Sequence, residues 1–352
     1  MFITKSAKME NQKWVCKAPF QRIRIEYGGN VRSCCRTKIE HSSFGNAYTH
    51  SYEELWNSDN VKKLRYNLAQ GNYKYCHDYC AVLMREEKKT EEMIPREQFP
   101  YHFSRWQDCY IDTSPQEINI ACDSSCNLHC VHCRNRPYVV LEEESRKIYD
   151  MLINVVTPML KDCRLIIISA GEFFCQKSVQ AFVKTLSKEK CPFLKIEIIT
   201  NGLLFTPAIW SQYKEIHELL KRVSVSIDAA SKETYEKIRR GGSWETLCDN
   251  MEFISALRQN NDIEFLEISF IVQEETYREM ISFVELGRKW NVDRIFFRKF
   301  AYTSALTVDE HKQLDVLNSE HFHYIEAKSA LVHIFKEVKD IKIVGLYTSV
   351  DD

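Results

Sequence analysis

A chain of 352 residues is long enough for roughly two domains, and it carries 48 basic against 49 acidic residues, a formal net charge of −1. No overall field therefore steers nucleic acid or an anionic membrane to it. Apolar runs such as "LIIISA" (165–170) fall far short of the roughly 18 residues that span a bilayer, and "MFITKSAKMENQK" lacks a signal-peptide apolar region.

A cytoplasmic location is expected from this, where thiols are held reduced. The 14 cysteines then point to metal rather than to a disulfide framework.

Taken in chain order, "RIRIEYGGNVRSCC" reads as a hairpin in which Ile23 and Ile25 alternate with charged residues and Gly28-Gly29-Asn30 supplies the turn. "SYEELWNSDNVKKLRYNLAQG" reads as helical, with Ser51 and Glu54 in capping-box spacing and Gly71 as the stop. The stretch 86–114, charged and then aromatic, reads as a connector.

From residue 117 strand and helix signals alternate. Strands are predicted at "EINIAC", "RLIIISA", "KIEIIT", "RVSVSIDA", "FLEISFIVQ" and "RIFFRKF". Helices are predicted over 141–156, 176–188 and 208–220, from Lys232, and over 275–290. Six such units imply a parallel sheet with right-handed crossovers, too few for a closed eight-stranded barrel. An open partial barrel and a doubly wound sheet both fit, and each places its ligand beyond the C-terminal strand ends. After residue 302, Thr307 and Glu310 repeat the capping-box spacing, a helix is predicted over 319–338, and "IKIVGLY" reads as a final strand.

The chemistry concentrates at strand ends. "CDSSCNLHCVHC" (122–133) follows the first strand and contains Cys126, Cys130 and Cys133 in C-x3-C-x2-C spacing. Three thiolates can hold three irons of a 4Fe-4S cluster and leave the fourth iron open, whereas a closed zinc site needs a fourth ligand, which Cys122 could supply. "SAGEFF" ends the second strand with Gly171 and Glu172. "TNG", with Asn201, ends the third, and "SIDA", with Ser226 and Asp228 two apart, ends the fourth. Cys109, Cys163, Cys191 and Cys248 read as core thiols. Cys175, Arg298 and Lys299 stand where substrate contacts would fall, or as a core thiol and surface charges.

The cysteine motif, the Gly-Glu and the fourth-strand segment "SIDAASKETYEKIRRGGSWETLCDNMEFI" together resemble the radical S-adenosylmethionine (radical SAM) superfamily over about 117–301. Its "GGEP"-type motif corresponds to Ala170-Gly171-Glu172-Phe173. The resemblance implies a 4Fe-4S cluster on Cys126, Cys130 and Cys133, with S-adenosylmethionine chelating the open iron. Glu172 would accept a hydrogen bond from its amino group, and Asn201, Ser226 and Asp228 would contact its carboxylate and ribose. His132 stands where the family usually has an aromatic residue beside the adenine, and Phe173 where it has proline.

The N-terminal segments "CKAPFQRIRIEYGGNVRSCC" and "FGNAYTHSYEELWNSDNVKKLRYNLAQGNYKYCHDYC" resemble the SPASM or twitch type of auxiliary iron–sulfur domain. That resemblance implies a second 4Fe-4S cluster on Cys16, Cys34, Cys76 and Cys80, with Cys35 as a substitute. A zinc knuckle is the structural alternative. Here Cys76 and Cys80 are three residues apart rather than two, and the domain precedes the core instead of following it.

The fold expected is α/β: a radical SAM partial (β/α)6 TIM-like barrel over 115–301, preceded by a small cysteine-rich auxiliary-cluster domain over 16–85. A tail over 1–15, the connector over 86–114 and a helix-rich extension over 302–352 complete it. The resemblance further implies a flavodoxin or ferredoxin-type electron donor and cleavage of S-adenosylmethionine to a 5′-deoxyadenosyl radical that abstracts hydrogen from an unactivated C–H bond. Oxidation or crosslinking of a peptide or protein side chain is expected. Only fifteen residues precede Cys16, too few for a separate leader-binding domain, so a sugar, aminocyclitol or other polar metabolite is the second substrate class. An iron–sulfur or zinc scaffold is the non-enzymatic alternative. No nucleic-acid or membrane partner is expected.

Overall fold

The computed structural model describes residues 13–33, 43–76, 80, 93–301, 303 and 305–345. Cys34 and Cys35 lie outside the described residues. Contacts divide the chain into two compact units: Met1–Asp123 with Glu142–Ile168 and Cys191–Leu194, and Ser124–Leu141 with Ser169–Lys190 and Lys195–Asp352.

The first unit opens with β1 (Trp14–Cys16), followed by the predicted hairpin of β2 (Arg22–Glu26) and β3 (Asn30–Arg32), with β4 (Gly45–Asn46) beside β3. Gly28 and Gly29 turn the hairpin at φ 75° and 79°, a left-handed backbone that favours glycine. A Cβ on Gly29 would also meet the Tyr48 ring at 2.5 Å. The alternation works as read: Ile23, Ile25 and Val31 are fully buried.

β5 (Met93–Pro95) pairs antiparallel with β1. The hairpin does not stand apart from the first α/β strands. β2 pairs in parallel with β6 (Glu117–Ala121), which pairs in parallel with β7 (Leu165–Ile168). Arg22 opposite Glu117 closes an ion pair at 2.6 Å, and Arg24 donates to Asn119 Oδ1 at 2.9 Å, so charged partners help to fix this register.

The Ser51 capping box is formed, but the helix predicted over 51–71 is two helices, Tyr52–Trp56 and Asp59–Ala69. Ser58 adopts an extended backbone as the second N-cap. The break frees Asn57 to accept from Arg65, which is fully buried, donates to the Pro19 carbonyl at 2.8 Å and lies 4.3 Å over the Trp56 ring.

The second unit holds β8 (Lys195–Thr200), β9 (Leu220–Ser226), β10 (Phe265–Val272), β11 (Arg294–Lys299) and β12 (Lys342–Gly345), all parallel and in sequence order. All six strands predicted from residue 117 are therefore present, and β12 adds one more parallel strand. The chain is an α/β protein whose strands are mostly parallel. Helices Lys232–Ile238, Trp244–Gln259, Met280–Lys289 and Tyr324–Glu337 cross between or flank the strands. Thr307 and Glu310 form the second capping box, ahead of Val308–Leu314.

The helix predicted over 208–220 is overturned. One α-turn, Pro207–Trp210, passes into a 3-10 segment kinked at Tyr213, where φ is −119°. The Trp210 and His217 rings stack at 3.7 Å, and β9 begins at Leu220, two residues before the predicted strand start. Among the described residues no helix is long and apolar enough to cross a membrane.

Candidate cofactor-binding site

The loop over 124–141 carries the three-cysteine motif. Its base is closed by an antiparallel bridge in which the Cys126 N–H donates to the Tyr138 carbonyl at 2.7 Å and the Tyr138 N–H returns to Cys126 at 3.2 Å. Its middle is pinned to the end of helix Lys232–Ile238: His129 N–H donates to the Arg240 carbonyl at 3.1 Å and Val131 N–H to Ile238 at 3.0 Å. Cys126 and Cys130 are buried and Cys133 is exposed.

Two sulfurs already have donors. The Leu128 N–H points at Cys126 Sγ over 3.4 Å, and Arg239 Nη1 at Cys130 Sγ over 3.8 Å. Burial raises both thiols above their ordinary range, and the Arg239 charge partly offsets this at Cys130. Free thiols here hold their protons until a metal displaces them.

Among the described residues no three His, Cys, Asp or Glu side chains converge to share a single metal ion. A mononuclear site on this loop would need the thiols to be drawn together. A polynuclear cluster does not, because each thiolate binds a different iron, so the donor set fits an iron–sulfur cluster.

Glu172 lies deeper than its place at a strand end suggested. It is fully buried, and its carboxylate accepts from Thr200 Oγ1 at 2.8 and 3.0 Å, from the Asn201 N–H at 2.7 Å and from the Phe174 N–H at 3.4 Å. The Glu172 N–H donates to the Ser125 carbonyl at 2.7 Å, tying the Gly-Glu segment to the cysteine loop. The preceding residues, Ala170 and Gly171, both have left-handed backbones at φ 64° and 58°, and for alanine this is strained. Burial pushes the Glu172 carboxyl up to about 7, against the pull of its Asn201 and Thr200 donors.

Asn201 bridges outward. Its Nδ2 donates to Asn127 Oδ1 at 2.9 Å and reaches Cys126 Sγ at 3.9 Å. Asp228 is also fully buried, but the two-residue spacing from Ser226 does not carry over to it. β9 ends at Ser226, and Asp228 turns at φ 65°. It pairs with the Arg239 guanidinium and accepts the Ile271 N–H at 2.8 Å. Burial opposes the Arg239 charge, but Asp228 and Cys130 outweigh it and hold the guanidinium firmly ionised. Ser226 faces Ser269 across the sheet, hydroxyls 3.4 Å apart.

His132 is half-buried, its ring edge-on to Phe300 at 6.1 Å, and its Nδ1 has no partner among the described residues. Burial lowers its pKa, so the ring is neutral. Cys122 is fully buried and its thiol is pushed up to about 12, as befits a core position.

In the other unit Cys16, Cys76 and Cys80 are each half-buried, and all three bear electrostatically on Tyr73, whose hydroxyl donates to the Trp14 carbonyl. Burial first, and these thiols next, hold the Tyr73 hydroxyl well above its usual range. Each of these three thiols thus lies near enough to Tyr73 to act on its charge, while among the described residues they do not converge on a single metal position.

A family model described as the Radical SAM superfamily matches residues 124–287, and one described as the SPASM iron–sulfur cluster-binding domain matches residues 16–81. The chain belongs to the radical SAM superfamily. In this radical SAM protein the SPASM match precedes the core match in sequence.

Its relatives include a GTP 3′,8-cyclase of Peptoclostridium acidaminophilum, 29% identical over 38% of this chain and 41% of that one. An AdoMet-dependent heme synthase of Methanosarcina barkeri is 26% identical over 50% and 48%. The chain thus spans about half the length of the curated relatives it matches. Among solved structures, native anSMEcpe with bound AdoMet aligns at a TM-score of 0.46 and 15% identity, over 64% of this chain and 63% of that one. Streptococcus suis SuiB aligns at 0.43 and 14%, over 68% and 51%.

Sequence reasoning missed Thr200 and Arg239. The first is read only as part of a turn, and nothing in "KIRRGG" tells which arginine turns inward. Removing the Arg239 charge leaves Asp228 buried and unpaired, so Arg239→Met is expected to cost about 3–5 kcal/mol. A urea unfolding midpoint unchanged by the substitution would contradict this. Pairing it with Asp228→Asn should recover part of the loss.

Proposed function

We propose that Cys126, Cys130 and Cys133 hold three irons of a 4Fe-4S cluster and that S-adenosylmethionine binds beside it against Glu172. The observation that carries this reading is the hydrogen-bonded path from the buried Glu172 carboxylate through Asn201 to Cys126. It ties the residue that would take the cofactor's ammonium to a thiol that would hold the iron. When bound, cluster and cofactor supply one-electron cleavage to a 5′-deoxyadenosyl radical that removes hydrogen from an unactivated C–H bond.

The chain's own part is positional. Arg239 keeps Asp228 and the Cys130 sulfur in place, and Thr200 and Asn201 hold the Glu172 carboxylate in one orientation. Ser226, Asp228 and Asn201 stand within the same unit for carboxylate and ribose contacts, with His132 for the adenine. Cys16, Cys76 and Cys80, with Cys34 or Cys35, hold a second 4Fe-4S cluster. A flavodoxin or ferredoxin supplies the electron.

For the substrate we favour a peptide or protein side chain, oxidised or crosslinked. The first unit has a groove of about 970 Å³ lined by Trp14, Phe99, Tyr101 and Phe103, an aromatic surface of a kind that suits peptide side chains. A small polar metabolite is the second reading, favoured by relatives named for GTP cyclisation and heme synthesis.

Anaerobic reconstitution should give about eight irons per chain, with 5′-deoxyadenosine formed on adding dithionite and S-adenosylmethionine. Zinc without iron, or no 5′-deoxyadenosine, would sink the proposal. Cys76→Ala should lose one cluster's iron while the other remains. Full iron in that variant would show the auxiliary ligands to be misassigned.

A further inference from the structure

β11 presents two different faces. Ile295 and Phe297 are buried on one, and Lys299, next in that phase, pairs with Asp315 at 3.3 Å. Arg294, Phe296 and Arg298 point the other way. By register they share that face with Glu267, Ser269 and Ile271 of β10, and with Ser224 and Ser226 of β9.

Two of the three guanidinium groups around this face are neutralised. Arg294 pairs with Glu267, which also accepts the Ser224 hydroxyl at 2.7 Å, and Arg239 pairs with Asp228. Arg298 is different. Its guanidinium lies 4.6 Å over the Phe296 ring, and its buried Nε meets no acceptor among the described residues.

Among the described residues the charges that act most on Arg298 are Glu267, Asp228, Arg239 and Arg294. Of these groups together with Arg298, three are cations and two are carboxylates, which leaves one positive charge over. It stands in the second-last residue of β11, at the C-terminal end of a parallel sheet, where such folds bind their ligands. A half-buried guanidinium with an unmet N–H is costly unless something supplies the acceptor.

We propose that Arg298 anchors an anionic group of the substrate, a carboxylate or a phosphate, at the C-terminal end of β11. The planar fork suits two-point recognition of either group, which an ammonium does not reproduce. The inference rests on reading the Glu172 site as the radical SAM site and adds the substrate's charge to it.

The test uses the full chain, reconstituted, without reductant. Inorganic phosphate and malonate are titrated separately at low ionic strength, and binding is read by calorimetry and by the thermal midpoint. At least one anion should bind and stabilise the wild-type chain. Arg298→Gln should weaken that binding about tenfold or more, and Arg298→Lys should fall between because it keeps the charge and loses the fork. A preference for phosphate identifies a phosphorylated metabolite, and a preference for malonate identifies a carboxylate such as a peptide offers.

The proposal is overturned if neither anion binds the wild-type chain, or if Arg298→Gln binds as tightly as wild type. It is overturned equally if that variant loses S-adenosylmethionine binding along with the anion, which would assign Arg298 to the cofactor's own carboxylate. Should Arg298→Gln not fold, Arg298→Lys carries the same comparison. No turnover is read, so this result and the 5′-deoxyadenosine result stand or fall separately.

Discussion

Replacing Cys130 by alanine is expected to abolish 5′-deoxyadenosine formation and to lower the iron content from about eight to about four per chain. The size of the effect follows from the position. Cys130 is buried, and its sulfur faces Arg239 at 3.8 Å. Alanine removes one of the three thiolates of the motif, and the neighbouring carboxylate, Asp228, is already committed to Arg239. The proposed auxiliary cluster uses different cysteines and should remain, which is why the expected loss is about half rather than all.

Cys122→Ala is the matched control. Its thiol is fully buried a few residues earlier in the chain and pushed up to about 12 by that burial, so it is a core side chain. The control variant should keep its iron and its turnover, at a stability cost of the order of 1 kcal/mol for a small cavity. Iron loss in Cys122→Ala, or full iron in Cys130→Ala, would show that a different set of thiols binds the metal.

The sequence was most informative where local chemistry decides the structure. Both capping boxes, at Ser51 and Thr307, formed as their spacing requires. The strands were legible because runs such as "KIEIIT" and "FLEISFIV" combine β-branched or aromatic residues with short length. The C-x3-C-x2-C spacing and the Gly-Glu at the next strand end marked the site before any contact was known.

What stayed hidden depends on distant parts of the chain. Pairing of β2 with β6 joins residues 95 apart in sequence, and its Arg22–Glu117 ion pair has no local signature. Asp228 and Ala170 adopt left-handed backbones, which the alanine disfavours and no strand pattern signals, so strand periodicity fails just where the site begins. Tyr213 breaks a stretch with helical spacing where its hydroxyl donates to the distant Gln180 at 2.7 Å and Trp210 stacks on His217. Glu172 is the sharpest case. A glutamate after a glycine reads as a solvated turn residue, and only the structure shows Thr200 and Asn201 holding it out of water.

That burial makes Glu172 a pH-dependent group. Its carboxyl is pushed up to about 7 in the fold, from a value near 4.5 in the unfolded chain. Between those values the folded state binds the proton more tightly, so without ligand the stability falls as pH rises through this window, by about 3 kcal/mol in all. Glu172→Gln removes the ionisation. The variant should match wild type near pH 5 and exceed it at pH 8, read as urea midpoints.

Ligand binding should run in the opposite direction. An ammonium placed against Glu172 favours the carboxylate, so uptake of S-adenosylmethionine below pH 7 must expel a proton. Affinity for the reconstituted protein then rises from pH 5.5 to about 7. Calorimetry in two buffers of different ionisation enthalpy would report that proton directly. Glu172→Gln should bind about tenfold to a hundredfold more weakly, as loss of a charge-assisted hydrogen bond requires, with a flat pH profile. If the variant instead binds as tightly as wild type and keeps the slope, the ammonium is held elsewhere, and the donors around Glu172 serve only to bury a carboxylate.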